Sequence, residues 1–107
     1  MLREFEQFYY RSYLVNHLNK TNRALHFMAN LVILFSIAGY LSGANGWMML
    51  YMAIAGYSLA LIGHVFFEKN LPVLLEHPFL ALFGDIWMFC RMATGRIGYD
   101  LSVYKDY

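Results

Sequence analysis

From Ala24 to Phe67 the chain carries no Lys, Arg, Asp or Glu. That single fact constrains the fold more than any other. A water-soluble domain of 107 residues needs charged surface throughout its length, yet only 14% of this sequence is charged and 60% is hydrophobic. The uncharged stretch divides into two apolar segments, Arg23 to Leu41 and Trp47 to Phe67, separated by Ser42-Gly43-Ala44-Asn45-Gly46. Each has close to the ~20 residues needed to cross a hydrocarbon core as a helix. Tyr40, Trp47 and Tyr51 beside the turn fit an aromatic belt.

The fold class that follows is an all-α membrane protein. It has a two-span transmembrane hairpin, spans 23–41 and 47–67, inside a single domain covering 1–107. Residues 2–18 read as an amphipathic helix: Leu2, Phe5, Phe8, Tyr9 and Tyr13 recur at helical spacing, with Arg3, Glu6, Arg11 and Asn16 on the other faces. It either lies in the membrane interface or packs on the spans. Asn19-Lys20-Thr21-Asn22 supplies a break with capping residues. The stretch 71–92 is apolar but holds Pro72, Glu76, His77, Pro78 and Asp85, a mixture that a lipid-exposed span does not tolerate. It reads as a loop, then a helix over 78–94 that is packed or partly inserted. The tail after Gly98 reads as a loose extension. Arg3, Arg11, Lys20 and Arg23 precede the first span; Lys69, Arg91, Arg96 and Lys105 follow the second. The positive-inside bias therefore places both termini in the cytoplasm.

Several classes are poorly supported. A net charge of +1 without a basic stripe points to no nucleic-acid partner. A lone Cys90 provides neither an internal disulfide nor a zinc or redox pair. The first residues lack the apolar run of a signal peptide, so the first span is expected to act as its own insertion signal. No nucleophile elbow or phosphate loop is present.

The four histidines are the exception. His26 lies 16 residues before Ser42 and His64 lies 18 residues after Gly46. At 1.5 Å per residue both sit roughly 24–27 Å from the turn, at one depth of an antiparallel hairpin. His17 and His77 flank the spans and can reach the same layer. Ala53, Tyr57 and Ala60 share the helical face of His64, and Asn30, Ile33 and Ile37 that of His26. Histidine inside a membrane segment is rare and usually functional, and imidazole suits Fe, Zn, Cu and Ni. His17, His26, His64 and His77 are therefore the expected metal ligands. Taken singly, each could equally be a hydrogen-bonded interfacial residue. Glu68, four residues after His64, is expected on the same face, as an oxygen ligand or as an acceptor for the ring.

Two motifs carry a family resemblance. Tyr13-Leu-Val-Asn-His17 with Asn22-Arg23-Ala-Leu-His26, and Gly63-His64-Val-Phe-Phe67-Glu68-Lys-Asn70-Leu-Pro72, resemble the paired histidine motifs of the Mpo-like family; Gly84-Asp85-Ile-Trp-Met88 is similar to a third, weaker element. The resemblance covers about residues 8–96. It implies an Fe(II)-dependent dioxygenase of the endoplasmic reticulum or a bacterial inner membrane, acting with O2 on 2-hydroxy long-chain fatty acids and removing one carbon. It carries the ligands onto His17, His26 and His64, with His77 the least secure. In that setting Arg23 is a partner for the substrate carboxylate or an interfacial anchor. Glu68 and Asp85 support the ligands, and the acyl tail lies against residues such as Phe66 and Phe67. Membrane lipid is the surrounding partner, and the sequence leaves homo-oligomer formation open. Two rivals stay open at this point: a haem protein with His26 and His64 as axial ligands, and a non-enzymatic lipid-associated membrane protein.

Overall fold

The computed structural model describes residues 2–71 and 76–106; Pro72 of the second motif lies outside them. The described residues are helical with no strand. Five α-helices follow in order: α1 Leu2–Phe8, α2 Lys20–Leu41, α3 Gly46–Ile62, α4 Pro78–Ala93 and α5 Ile97–Tyr104. Two π-helical turns, Tyr9–Tyr13 and Gly63–Glu68, and one 3-10 turn, Leu14–His17, complete the path.

The hairpin is α2 and α3. Each helix begins on an asparagine whose side-chain oxygen takes up amide donors that the first turn leaves unpaired. Asn19 Oδ1 accepts from Thr21 and Asn22 at 2.9 and 3.1 Å, and Asn45 Oδ1 from Trp47 at 2.9 Å. Between the helices Gly43 adopts φ +92°, a left-handed conformation that suits glycine. The helices then pack closely on small residues, as helices in lipid do. Met49 fills the space that a side chain at Gly39 would need, and a Cβ on Gly56 would stand 3.0 Å from the Ala29 carbonyl. The segments Lys20–Leu41 and Gly46–Glu68 are long and apolar enough to cross a membrane, and only 17% of either apolar window is buried within the protein. The hairpin thus leaves most of its apolar surface outward.

The buried core lies instead at the open end of the hairpin. Phe8, Tyr9, Tyr10, Tyr13 and Leu14 pack there against Ala81 and Met88 of α4. The N-terminal segment is packed, but chiefly against α4 and α5 rather than along the two apolar helices. The segment is also not one helix over 2–18: it widens into a π turn and tightens into a 3-10 turn before His17. Helix α4 has 16 residues, short of the ~20 that cross a bilayer. It docks on Tyr13 through Gly84, where a Cβ would meet the Tyr13 ring at 2.8 Å.

The tail is a correction. Residues Ile97–Tyr104 form α5, not a loose extension. The cause is Asp100, which is 1% exposed. Its carboxylate takes two bonds from Arg91 Nε and one from Nη2, at 2.8–3.1 Å, and a third donor, the Tyr9 hydroxyl, at 3.2 Å. Asp100 raises the Arg91 pKa through this bond. Removing one side of such a pair strands the other. Asp100→Ala is expected to cost about 2–3 kcal/mol, discounted for the part-exposed Arg91. A thermal melt should show the midpoint lowered by roughly 10 °C, and an unchanged melt would mean that α5 contributes nothing.

Candidate metal centre

Three of the four histidines meet. His17 ends the 3-10 turn, His26 stands in the second turn of α2, and His64 is in the π turn that extends α3. Their ring centroids are 4.6 Å (His17–His26), 4.6 Å (His17–His64) and 4.7 Å (His26–His64) apart, at interplanar angles of 84°, 81° and 89°. All three are buried, at 1%, 3% and 2% exposure. Their ligand atoms lie within 4.8 Å of one another.

Each ring is held by its outer nitrogen. His17 Nδ1 bonds the Tyr13 carbonyl at 2.7 Å, His26 Nδ1 the Asn22 carbonyl at 2.9 Å, and His64 Nδ1 the Asn70 Oδ1 at 2.7 Å. A carbonyl oxygen only accepts, so in this network each Nδ1 carries the proton and each Nε2 keeps its lone pair. This is the second contact by which proteins orient imidazole ligands and fix their tautomer. His17 Nε2 is buried with no hydrogen-bond partner. Burial also lowers the His17 pKa well below its ordinary value, with His26 adding to the effect. The ring is thereby kept neutral, as a metal ligand must be.

These donors fit a metal ion. Three neutral imidazoles, their ligand atoms within 4.8 Å of one another and His17 Nε2 buried without a partner, form a donor set that one metal ion could use. A pair of axial haem ligands does not fit. Such a pair needs room for a planar macrocycle between the two rings, whereas the His26 and His64 rings are 4.7 Å apart with His17 beside both.

The remaining residues singled out in the sequence are placed differently. His77 is exposed and meets the edge of Phe8 at 5.6 Å, outside the group of three. Glu68 is not one of the grouped ligands. Its carboxylate accepts the backbone N–H of Asn19 and so ties the end of α3 to the start of α2. Arg23 directs Nη1 to the carbonyls of His17 and Leu18, at 2.9 and 2.7 Å. It fixes the turn that bears His17. Asp85 stays close to the centre. It accepts the Tyr13 hydroxyl, and Tyr13 stacks on His17 at 4.0 Å and 16°.

Asn70, from the second motif, and Asn16, from a polar face of the N-terminal segment, act together on His64. Asn16 Nδ2 donates to the Ser12 carbonyl at 2.8 Å, and Asn16 Oδ1 accepts from Asn70 Nδ2 at 3.1 Å. This aims Asn70 Oδ1 at His64. Lys69, at φ 60°, makes the left-handed step that turns Asn70 back. The only sequence signal was a pair of asparagines just outside the apolar runs, which by itself reads as capping.

The three rings close one end of an apolar cavity of about 410 Å³ that runs between α2 and α3. Asn30, Ile33 and Ile37 line it from α2, Gly56, Tyr57 and Ala60 from α3, and Asp85 from α4. Phe66 and Phe67 are exposed elsewhere and do not line it. The acyl contact expected at those two residues is therefore not part of this cavity.

The sequence model of one family matches residues 2–97. The family is described as 2-hydroxy-palmitic acid dioxygenase Mpo1-like, and this chain belongs to it. No curated protein and no solved structure gives a significant match.

Proposed function

We propose that this protein is an integral membrane enzyme, an Fe(II)-dependent dioxygenase that shortens 2-hydroxy long-chain fatty acids by one carbon. The observation that carries this reading is the set of three buried imidazoles, each bonded through Nδ1 and with His17 Nε2 unpartnered, at the closed end of an apolar groove. The family description supplies the reaction and the class of substrate. In this reading α2 and α3 cross the bilayer, and the positive-inside bias puts the metal end on the cytoplasmic side. Residues 1–107 act as one domain.

His17, His26 and His64 would hold the iron. Bound there, iron would bring O2 together with the carboxylate and 2-hydroxyl of the acid and supply the redox chemistry. The shortened acid, CO2 and water balance one O2, so no second oxidisable substrate is required. The protein's share is orientation and exclusion of water. Tyr13, 1% exposed, stacks on His17 and lines the groove beside Asp85, and the core that holds Leu14 adjoins it. Asp85 is the residue placed to take the proton of the 2-hydroxyl. Burial pushes its carboxyl up to about 6, against the Tyr13 bond, which lowers it. Near neutral pH it is then largely a carboxylate with a greater proton affinity than an ordinary aspartate, which suits a base.

The test is anaerobic purification in lipid nanodiscs, metal analysis, then 2-hydroxypalmitate under O2. Pentadecanoic acid should form only with iron present; equal turnover by chelator-stripped protein would sink the reading. Asp85→Asn keeps an acceptor for Tyr13 and removes the base. Turnover should fall about 10²-fold or more while iron content stays full. Undiminished turnover in that variant would remove Asp85 from the chemistry.

A further inference from the structure

The shape of the groove carries a statement about which tails it accepts. Along α2 its lining runs from His26 to Ile37, about 16 Å at 1.5 Å per residue. An extended acyl chain advances about 1.25 Å per carbon, given C–C bonds of about 1.5 Å, so about a dozen carbons span it. The metal end is shut by buried rings. The far part is not: Leu34 and Ile37, which line it, are 51% and 53% exposed. Beyond Ile37 the two helices close on each other where Met49 fills the place of a side chain at Gly39. A chain that reaches that point cannot continue between the helices. It can leave through the open side, along the apolar outer surface of the hairpin.

We propose that this groove is an open-sided trough that reads the first dozen or so carbons of a single acyl chain and sets no upper limit on length. The proposal rests on the reading above, in which the carboxyl end sits at the histidines. The physical reason is the solvent. In a bilayer, leaving lipid for an apolar groove gains little hydrophobic free energy, since lipid tails are as apolar as leucine. Discrimination then comes from packing against the walls, and carbons past the trough remain in lipid at no cost. Small walls define the cross-section: Ala29 and Gly56 form the floor, where a Cβ on Gly56 would stand 3.0 Å from both the Ala29 carbonyl and Ile33 Cγ1. Leu34 and Ile37 are the length-sensing positions, because only chains long enough to pass them touch them.

The experiment uses full-length protein in nanodiscs, with each acid dosed by mole fraction in the bilayer. Straight 2-hydroxy acids of 16, 20 and 24 carbons should react with kcat/KM equal within about twofold, on the argument that carbons past the trough stay in lipid. Leu34→Trp and Ile37→Trp place bulk on half-exposed positions, where it does not strain the core. Each should raise KM for the 16-carbon acid about tenfold, the effect of roughly 1.4 kcal/mol of overpacking, with kcat little changed. The 8-carbon acid, about 9 Å long, ends short of Leu34, about 12 Å along α2 from His26, and should be unaffected. A sharp fall in rate beyond 16 carbons would overturn the open trough. So would Trp variants that slow the 8- and 16-carbon acids alike. Displacement of a fluorescent fatty acid from the same protein separates this proposal from the reaction. A tail-length dependence that shifts in the Trp variants keeps the trough even if no 2-hydroxy acid is oxidised, and displacement unaltered by either substitution removes it.

Discussion

His64→Ala is expected to abolish stoichiometric iron binding and reduce turnover of 2-hydroxypalmitate to background, while His77→Ala keeps both. The two histidines looked equivalent by residue type and depth. The structure separates them: His64 faces two other imidazoles at 4.6–4.7 Å, and His77 is exposed against Phe8. Loss of one of three ligands should exceed the roughly 10–100-fold cost in affinity of losing an outer hydrogen-bond partner. Asn70→Ala supplies that smaller reference, since it removes only the acceptor of His64 Nδ1. The expected order of iron affinity is wild type equal to His77→Ala, then Asn70→Ala, then His64→Ala. Iron titration of the apoprotein gives this order directly. If His77→Ala fell to the level of His64→Ala, the three-histidine centre would be wrong.

Gly63→Ala should have an effect far larger than one methyl group normally has. A Cβ at Gly63 would collide with the side-chain oxygen of Asn22. Asn22 is fully buried and its backbone carbonyl holds His26. No hydrogen bond holds the Asn22 amide, so only its complete burial between α2 and the turn that bears His64 opposes its moving aside. Overpacking of this kind costs typically about 1–3 kcal/mol, here in the geometry of two ligands at once. Iron affinity should drop at least about tenfold, with far-ultraviolet dichroism unchanged. The double variant Gly63→Ala/Asn22→Ala removes the obstacle and should recover most of the loss. Additive losses in that cycle would show that the two residues do not oppose each other.

The centre was partly legible because helix geometry is simple. Counting from the turn put His26 and His64 at one depth, and their rings are 4.7 Å apart. Motif spacing added His17. What could not be read were features that depend on departures from regular helix or on long-range partners. Glu68 stands four residues from His64, but its carboxylate takes up the Asn19 amide, a partner 49 positions away that no local count finds. The α5 helix went unseen because its anchor is Asp100 with Arg91 and Tyr9, the latter 91 positions away. Asn70 acts on His64 from beyond the apolar run, where composition reads only as a loop. The tail contact was placed on Phe66 and Phe67 by hydrophobicity alone, although a groove is made by the small residues Ala29, Gly56 and Ala60 beneath it.

The π turn at Gly63–Glu68 has a consequence for how this segment tolerates insertion and deletion. A π turn holds one residue more per hydrogen-bonded loop than an α turn. Here that extra residue lies between His64 and the asparagine that aims it. Deleting any one residue from Val65 to Lys69 would shorten the path by which Asn70 turns back onto the His64 ring. Asn70 and the Glu68 tie to Asn19 would then be lost together. Single substitutions at the exposed Val65 or Phe66 leave the turn intact. The number of residues in this stretch is therefore more tightly constrained than the identity of most of them.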